Sequence, residues 1–480
     1  MNAIPLSELP RTFRDAIDIA RSLGLRYLWI DSVCIVQDSE PDWSAHVGYM
    51  ASIYENAFLT LAAGASEDDD GGFFAVPQEK FARPHLLALE LDGVPRNIYV
   101  RYSVDHPDAY WPAREVLPLM QRGWCFQERL LSRRYLCFGS NEIMWECMED
   151  VACTCSMASG PFNQRLFDRS PAFNGCSATK LQLSAATGDH RTLWRNLVTH
   201  YKARKLTYAR DKLPALAGLA DAFQRKFNPG KYHHGMWSSL LEQDLSWHVF
   251  SKETSFGRPR QGPSWSWTHS SDDSEEIAFS RLYEDNYYQL HEIIEPDTEG
   301  DVASVSTAIL LTGTILAVSL QIYEVRGGME VKFPSMRNCR VFEQEGDMLS
   351  TQIELCPLPG SVESSLDQGD TNTSASFLQG EFMADYRFWP SEAELQHELQ
   401  HIMFFPLGVD DFDDFPYSHQ TDEAACWVAG MVLRPSSVWG KGQSPEHENQ
   451  FERVGWLRYC TNKTRSQYNQ AGTKTKFLVV

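Results

Sequence analysis

The sequence predicts an α/β domain with a parallel sheet, extended by helices and followed by a β-rich region. Three observations carry this. Helical and strand-like apolar periods alternate from Leu9 to Ala63. Apolar spacing between about residues 185 and 250 is helical, and beyond the Ser/Asp-rich patch at 269–275 strand-like runs take over. The expected division is residues 1–150 for the α/β domain, 151–270 for the helical extension and 271–480 for the β-rich part.

Each element follows from its own pattern. Pro10 suits the start of a helix, Phe13, Ile17 and Ala20 recur at helical spacing, and Gly24 supplies the stop. YLWI (27–30) reads as a short buried strand ending at Asp31. A second helix spans about 41–56, with Trp43, Val47, Met50 and Tyr54 on one stripe, and FLTLAA (58–63) is the next strand. The acidic EDDDGG (67–72) closes this unit as a solvated loop. Asn97–Tyr102 reads as a strand, residues 122–132 as a helix, and YLCF (135–138) and EIMWE (142–146) as strands. LWRNLVTHY, DKLPALAGLADAFQRKF and MWSSLLEQDLSW read as helices. Ala308–Leu320 is apolar but interrupted by Thr312, Gly313 and Thr314, which predicts a strand pair rather than a membrane span. Residues 341–342 and 427–433 carry further strand signals, and residues 357–376 are polar enough to predict a disordered loop.

Composition narrows the function classes. The chain has 480 residues, for which two domains are the natural expectation, and 43 Lys+Arg against 64 Asp+Glu give a net charge of −21. That field repels polyanions and argues against nucleic acid as a main partner. No apolar stretch follows Met1, so no secretory signal is read, and the 11 Cys are expected to be reduced thiols in a cytoplasmic protein. Neither a P-loop nor a G-x-G-x-x-G fingerprint occurs, so ATP-driven switching is not encoded.

Several small motifs bear on chemistry. HELQH (397–401) matches H-E-x-x-H, which on a helix sets His397 and His401 on one face as zinc ligands with Glu398 as base. No third histidine follows at metzincin spacing, and Pro406 ends the helix one turn later, so these are weak metal candidates and a zinc hydrolase is a distant alternative. Cys147, Cys153 and Cys155 lack zinc spacing, and DDFDD (410–414) lacks the glycine and distal Glu of a calcium loop. Asp31 lies just past a predicted strand end, where open α/β sheets place ligand groups; a turn or helix cap is its ordinary alternative. Cys34, between Val33 and Ile35, is expected to be a buried thiol, and Trp29 and Trp124 to be core.

The block order LPRTFRDAI, YLWIDSVCIVQ, DWSAHVGYMASIYENAFLTLAA and RGWCFQERLLS with RYLCFG and EIMWEC resembles the fungal heterokaryon incompatibility domain. LTYARDKLPALAGLA, GMWSSLL, PSWSW, VAGMVLRP and FERVGW resemble segments that trail that domain. Family members usually begin with a strand reading like ALSYVWG; Met1 stands only eight residues before Leu9, so that strand is expected to be missing here. The resemblance implies a cytoplasmic effector of incompatibility and regulated cell death, acting by self-association or with a partner incompatibility protein. The family is distantly similar to Toll/interleukin-1 receptor domains, which implies a sheet of that type. In those domains a WCxxE helix presents a glutamate that cleaves the nicotinamide–ribose bond of NAD. Trp124, Cys125 and Glu128 match that spacing. This implies Glu128 as the catalytic carboxylate, Asp31, Arg122 and Trp124 as substrate contacts, and NAD as substrate with no bound cofactor. A surface ion pair of Glu128 with Arg122, Arg129 or Arg133 is the ordinary reading, and a non-catalytic assembly module or an inactive truncated paralogue is the alternative function.

Overall fold

A computed structural model describes residues 4–82, 85–91, 94–100, 117–154, 176–186, 188–249, 262–270, 277–280, 282–283, 288–294, 307–322, 350–355, 378–384, 402–410, 426–436, 450–461 and 473–480. The chain divides into two units, Met1–Asn228 and Pro229–Val480.

In the first unit α1 (Arg11–Ser22) starts after Pro10, turns Ala16 and Ala20 inward and stops at Gly24, whose φ of +71° only glycine adopts freely. Gly24 and Leu25 donate to the carbonyls of Arg21 and Ala20, a Schellman closure. The acidic loop caps the other end: Thr12 N–H donates to Asp69 O, and Asp15 accepts from Phe73 N–H. A short α2 (Asp31–Cys34) precedes α3 (Glu40–Asn56), capped by Ser39, which buries Met50 and half-buries Trp43, Val47 and Tyr54 as the stripe predicts. β1 (Thr60–Ala62), α4 (Glu79–Ala82) and a hairpin of β2 (His85–Leu91) and β3 (Val94–Val100) follow. Next come α5 (Gly123–Leu131), β4 (Arg134–Phe138), β5 (Ile143–Cys147) and β6 (Val151–Cys153). Helices α6 (Cys176–Ala185), α7 (His190–Lys202) and α8 (Pro214–Phe227) complete the unit.

The sheet runs β1-β4-β5-β6. β1 and β4 pair in parallel, Thr60 opposite Tyr135, while β4–β5 and β5–β6 are antiparallel, so the unit is mixed α/β rather than all-parallel. The expected strand Tyr27–Ile30 is absent: the segment is extended, yet no described strand pairs with it. Its faces explain this, since Tyr27 is 86% and Leu28 37% exposed, and a buried strand needs a layer on each side. Trp29 is partly buried rather than core, and Cys34 is exposed because α2 rotates it outward. Trp124 too is only partly buried.

In the second unit, β7 (Tyr232–His233) and β8 (Met236–Trp237) form a tight hairpin through His234 and Gly235, both at positive φ. That turn breaks the helix expected over MWSSLLEQDLSW; only α9 (Leu241–Asp244) remains helical there. β9 (Trp247–Val249) pairs with β10 (Ile277–Phe279). The remaining strands are β11 (Leu282–Tyr283), β12 (Tyr288–Ile294), β13 (Ala308–Ile322), β14 (Ser350–Leu355), β15 (Leu378–Ala384), β16 (Ile402–Asp410), β17 (Cys426–Pro435), β18 (Gln450–Thr461) and β19 (Thr473–Val479). They form one sheet in which β13–β16 pairing closes a ring through β17, β18, β15 and β14.

β13 is one continuous strand, not the expected pair. Gly313 does not turn; a Cβ there would stand 2.5 Å from the Phe405 ring, so the glycine serves close approach across the sheet. Trp237, Trp247, Trp265, Trp267 and Trp456 are buried in this unit, with Arg453 3.7 Å from the Trp247 ring centre and donating to Leu245 and Trp247 carbonyls. The HELQH segment, residues 341–342, the loop 357–376, Cys155 and Asp411–Asp414 lie outside the described residues. Among the described residues, no helix is long and apolar enough to cross a membrane.

Candidate active site around Glu128

The site begins with how α5 is seated. Arg122 precedes the helix in extended conformation, bridging in parallel to Lys205. Gly123 donates its N–H to Lys205 O, and a Cβ on it would stand 2.4 Å from Leu206. Only glycine lets the helix start that close to the passing chain. One turn on, Gly218 of α8 plays the same part. A Cβ there would lie 2.6 Å from Ala51 of α3 and 2.9 Å from Gln127 of α5, so α3, α5 and α8 meet at one close contact. The Gly218 N–H also donates to Gln127 Oε1 at 3.2 Å.

The far side of α5 is anchored by buried charge. Arg129 Nε donates to both Glu146 oxygens, at 3.1 and 3.0 Å, and Lys180 of α6 lies 3.9 Å from the same carboxylate. Lys180 also donates to Arg129 O at 3.0 Å. A buried charge set that is matched and hydrogen-bonded fixes orientation, and losing one member leaves an uncompensated ion. Arg129 is thereby turned away from Glu128, which removes one of the surface partners the sequence offered.

Cys125 and Glu128, three residues apart, are neighbours on the α5 surface. Glu128 is partly buried, with the Tyr54 hydroxyl of α3 and the Cys125 thiol of α5 among the groups that act on its charge. Burial, then the negative charge of Asp31, raises its pKa from 4.5 to about 7; Arg122, the Tyr54 hydroxyl and the Cys125 thiol pull the other way. Burial and the Glu128 carboxyl hold the Cys125 thiol well above its ordinary range, so it is a thiol and not a thiolate. The same two causes raise Tyr54. Asp31 itself is exposed at the first turn of α2, its Oδ1 accepting from Ser32 N–H at 2.8 Å. The Trp29 ring packs edge-on against Tyr54, 5.8 Å between centroids.

The tertiary structure therefore brings Asp31, Arg122 and Glu128 into one electrostatic neighbourhood. Trp124 is engaged elsewhere: its ring N–H donates to Asp211 at 3.0 Å. His397 and His401 lie outside the described residues, and among those described no group of three His, Cys, Asp or Glu is placed to hold a metal. Tyr54 and Cys125 are the residues the sequence did not single out as site members. Tyr54 reads as one more member of a core stripe, and its hydroxyl's destination depends on α5, some seventy residues on. Chemically, an exposed carboxylate and a guanidinium act on a carboxyl whose pKa lies at about 7. Such a pair divides charge stabilisation from proton transfer.

Residues 1–128 match the family model of the heterokaryon incompatibility protein (HET), so Asp31, Tyr54, Arg122, Cys125 and Glu128 all fall within the matched segment. No curated protein and no solved structure matches the chain.

Proposed function

We propose that this chain, which carries a heterokaryon incompatibility domain over residues 1–128, is a cytoplasmic effector of fungal incompatibility and regulated cell death that hydrolyses NAD. The first unit is read as a Toll/interleukin-1-receptor-like sheet domain. Water adds to the ribose anomeric carbon as the bond to the nicotinamide nitrogen breaks. The bonding pair leaves with the ring and cancels its positive charge, and the water proton passes to Glu128 and on to solvent. Nicotinamide and ADP-ribose are the products. A base with a pKa near the working pH is half ionised and still able to take the proton. The exposed Asp31 carboxylate opposes the positive charge that develops on the ribose, and Arg122 pairs with the pyrophosphate. Trp124, bound through its ring nitrogen to Asp211, offers the substrate only its ring.

The single observation that carries this reading is the convergence on Glu128 of Asp31 and Arg122, residues from separate parts of the sequence, around a carboxyl with a pKa of about 7. A second reading, killing by assembly without catalysis, is favoured by Tyr27, Leu28, Val33, Val36 and Tyr49, which expose apolar surface on the same stretch of chain. Self-association or a partner incompatibility protein would engage that surface. The test is NAD consumption by the purified full chain, concentrated with a crowding agent, beside Glu128→Gln. Turnover that vanishes in the variant is expected. Toxicity that survives Glu128→Gln, with no NAD loss by folded wild type, would replace this reading with assembly.

A further inference from the structure

We propose that Lys205, side by side with Arg122, forms a cation pair at the start of α5 that binds the pyrophosphate of the substrate. The inference rests on the hydrolase reading above and adds to it a binding residue from outside the segment that matches the family model. Two backbone hydrogen bonds set the pair. Lys205 N–H donates to Gln121 O at 2.7 Å and Gly123 N–H donates to Lys205 O at 2.8 Å, so Arg122 and Lys205 stand opposite each other in a parallel bridge. Residues paired in this way project their side chains on one face, with Cβ atoms about 5 Å apart. Both residues are exposed. Their surroundings hold the bridge in place. Leu206 packs against Gly123, Arg204 donates to Met120 O, and the Trp124 ring nitrogen donates to Asp211 at 3.0 Å.

The charges of this pair are left for a ligand. Among the described residues neither Arg122 nor Lys205 is in an ion pair, although the chain carries 64 Asp+Glu against 43 Lys+Arg. Other cations of the unit are engaged: Arg129 with Glu146, Arg204 with the Met120 carbonyl and the Phe126 ring, Arg225 with Glu55 and Asp221. Two adjacent cations repel, and a dianionic group touching both removes that repulsion. The two side chains divide the work. A guanidinium grips two phosphate oxygens in one plane, while an ammonium on a flexible stem acts as a point charge. Glu128 follows six residues after Arg122, about 9 Å along the helix axis at 1.5 Å per residue, and the Arg122 charge acts on it. A phosphate held by the pair therefore brings the attached ribose within reach of that carboxylate.

Lys205 meets α5 through its backbone, so Lys205→Gln in the full chain removes the charge and spares those hydrogen bonds. The first readout is kcat/KM for NAD and for nicotinamide riboside, which has the scissile bond but no phosphate. The expected result is a fall of about tenfold in the ratio of NAD to riboside, the worth of one charge-assisted contact, with Lys205→Arg restoring it. A merely structural lysine would lower both substrates equally, so an unchanged ratio overturns the proposal. The second readout is calorimetric titration with inorganic pyrophosphate and with ADP-ribose at low and high salt. Wild type should bind both, more weakly as salt rises, and Lys205→Gln should bind each less tightly than wild type. No binding by wild type, or equal binding by Lys205→Gln, also overturns the proposal. Pyrophosphate binding without ADP-ribose binding makes the pair a free-anion site and overturns its place in the substrate site. ADP-ribose binding that Lys205→Gln weakens, in a protein that consumes no NAD, keeps the cation pair and removes the hydrolase reading instead.

Discussion

Replacing Glu128 by Gln should stabilise the protein at alkaline pH, and the size of the gain follows from the site. In the folded chain the carboxyl titrates near 7 instead of 4.5, because burial and Asp31 oppose its charge. The folded state therefore holds a proton between those values that the unfolded state has released, and stability falls as pH rises through that window. Below 4.5 both states are protonated and nothing is lost. Above 7 both are ionised, and the penalty is complete. At about 1.4 kcal/mol per pH unit the full cost is about 3.5 kcal/mol, of which about 2.5 kcal/mol accrues between pH 5 and pH 8. Gln is nearly isosteric with Glu and never ionises, so the variant escapes that cost. Urea unfolding followed by tryptophan fluorescence at pH 5 and pH 8 reads the difference. With a slope of about 2–3 kcal/mol per M, the variant's midpoint should gain about 1 M on wild type between the two pH values. A difference that stays constant from pH 5 to pH 8 would refute the electrostatic account of the site. So would one that favours wild type more at pH 8, which would mean that the ionised carboxylate is well paired.

Three other outcomes follow from the same geometry. Asp31→Asn removes the like charge facing Glu128, so the Glu128 infrared midpoint should drop below about 7 and turnover should persist to lower pH; an upward move would contradict the placement of Asp31. Gly218→Ala forces a methyl group against Ala51 and Gln127, and should cost about 1–3 kcal/mol in urea unfolding; a neutral result would mean that α3, α5 and α8 part easily. In timed alkylation of the native chain followed by peptide mapping, exposed Cys34 should react early, while Cys125, buried beside a carboxyl, should resist until the chain unfolds. Rapid labelling of Cys125 would contradict its burial in the folded chain.

How much of this was legible beforehand differs by element. Helix limits were readable where local chemistry is unambiguous: Pro10 at a start, Gly24 at a stop, the α3 stripe from Trp43 to Tyr54. Errors came where a local pattern has two solutions that only packing separates. YLWI is apolar enough for a strand, but pairs with no described strand and stays partly exposed. Gly313 reads as a break, yet it sits under Phe405 in an unbroken strand. MWSSLLEQDLSW has a helical composition, but the left-handed His234–Gly235 turn commits its first residues to a hairpin.

For the site, the sequence by itself determined the candidate residue types and the segments that carry them. Asp31 follows an apolar run, and Cys125 and Glu128 lie at a fixed offset along one helix with Arg122 just before it, because helical periodicity is a local property of the chain. Only the folded chain brings the charges of Asp31 and Arg122 to bear on Glu128 and withdraws Arg129 to Glu146 and Lys180. It also decided the charge state. A pKa near 7 arises from lost solvent and from a carboxylate about a hundred residues away in sequence, and neither is a property of Glu128 or its neighbours in the chain.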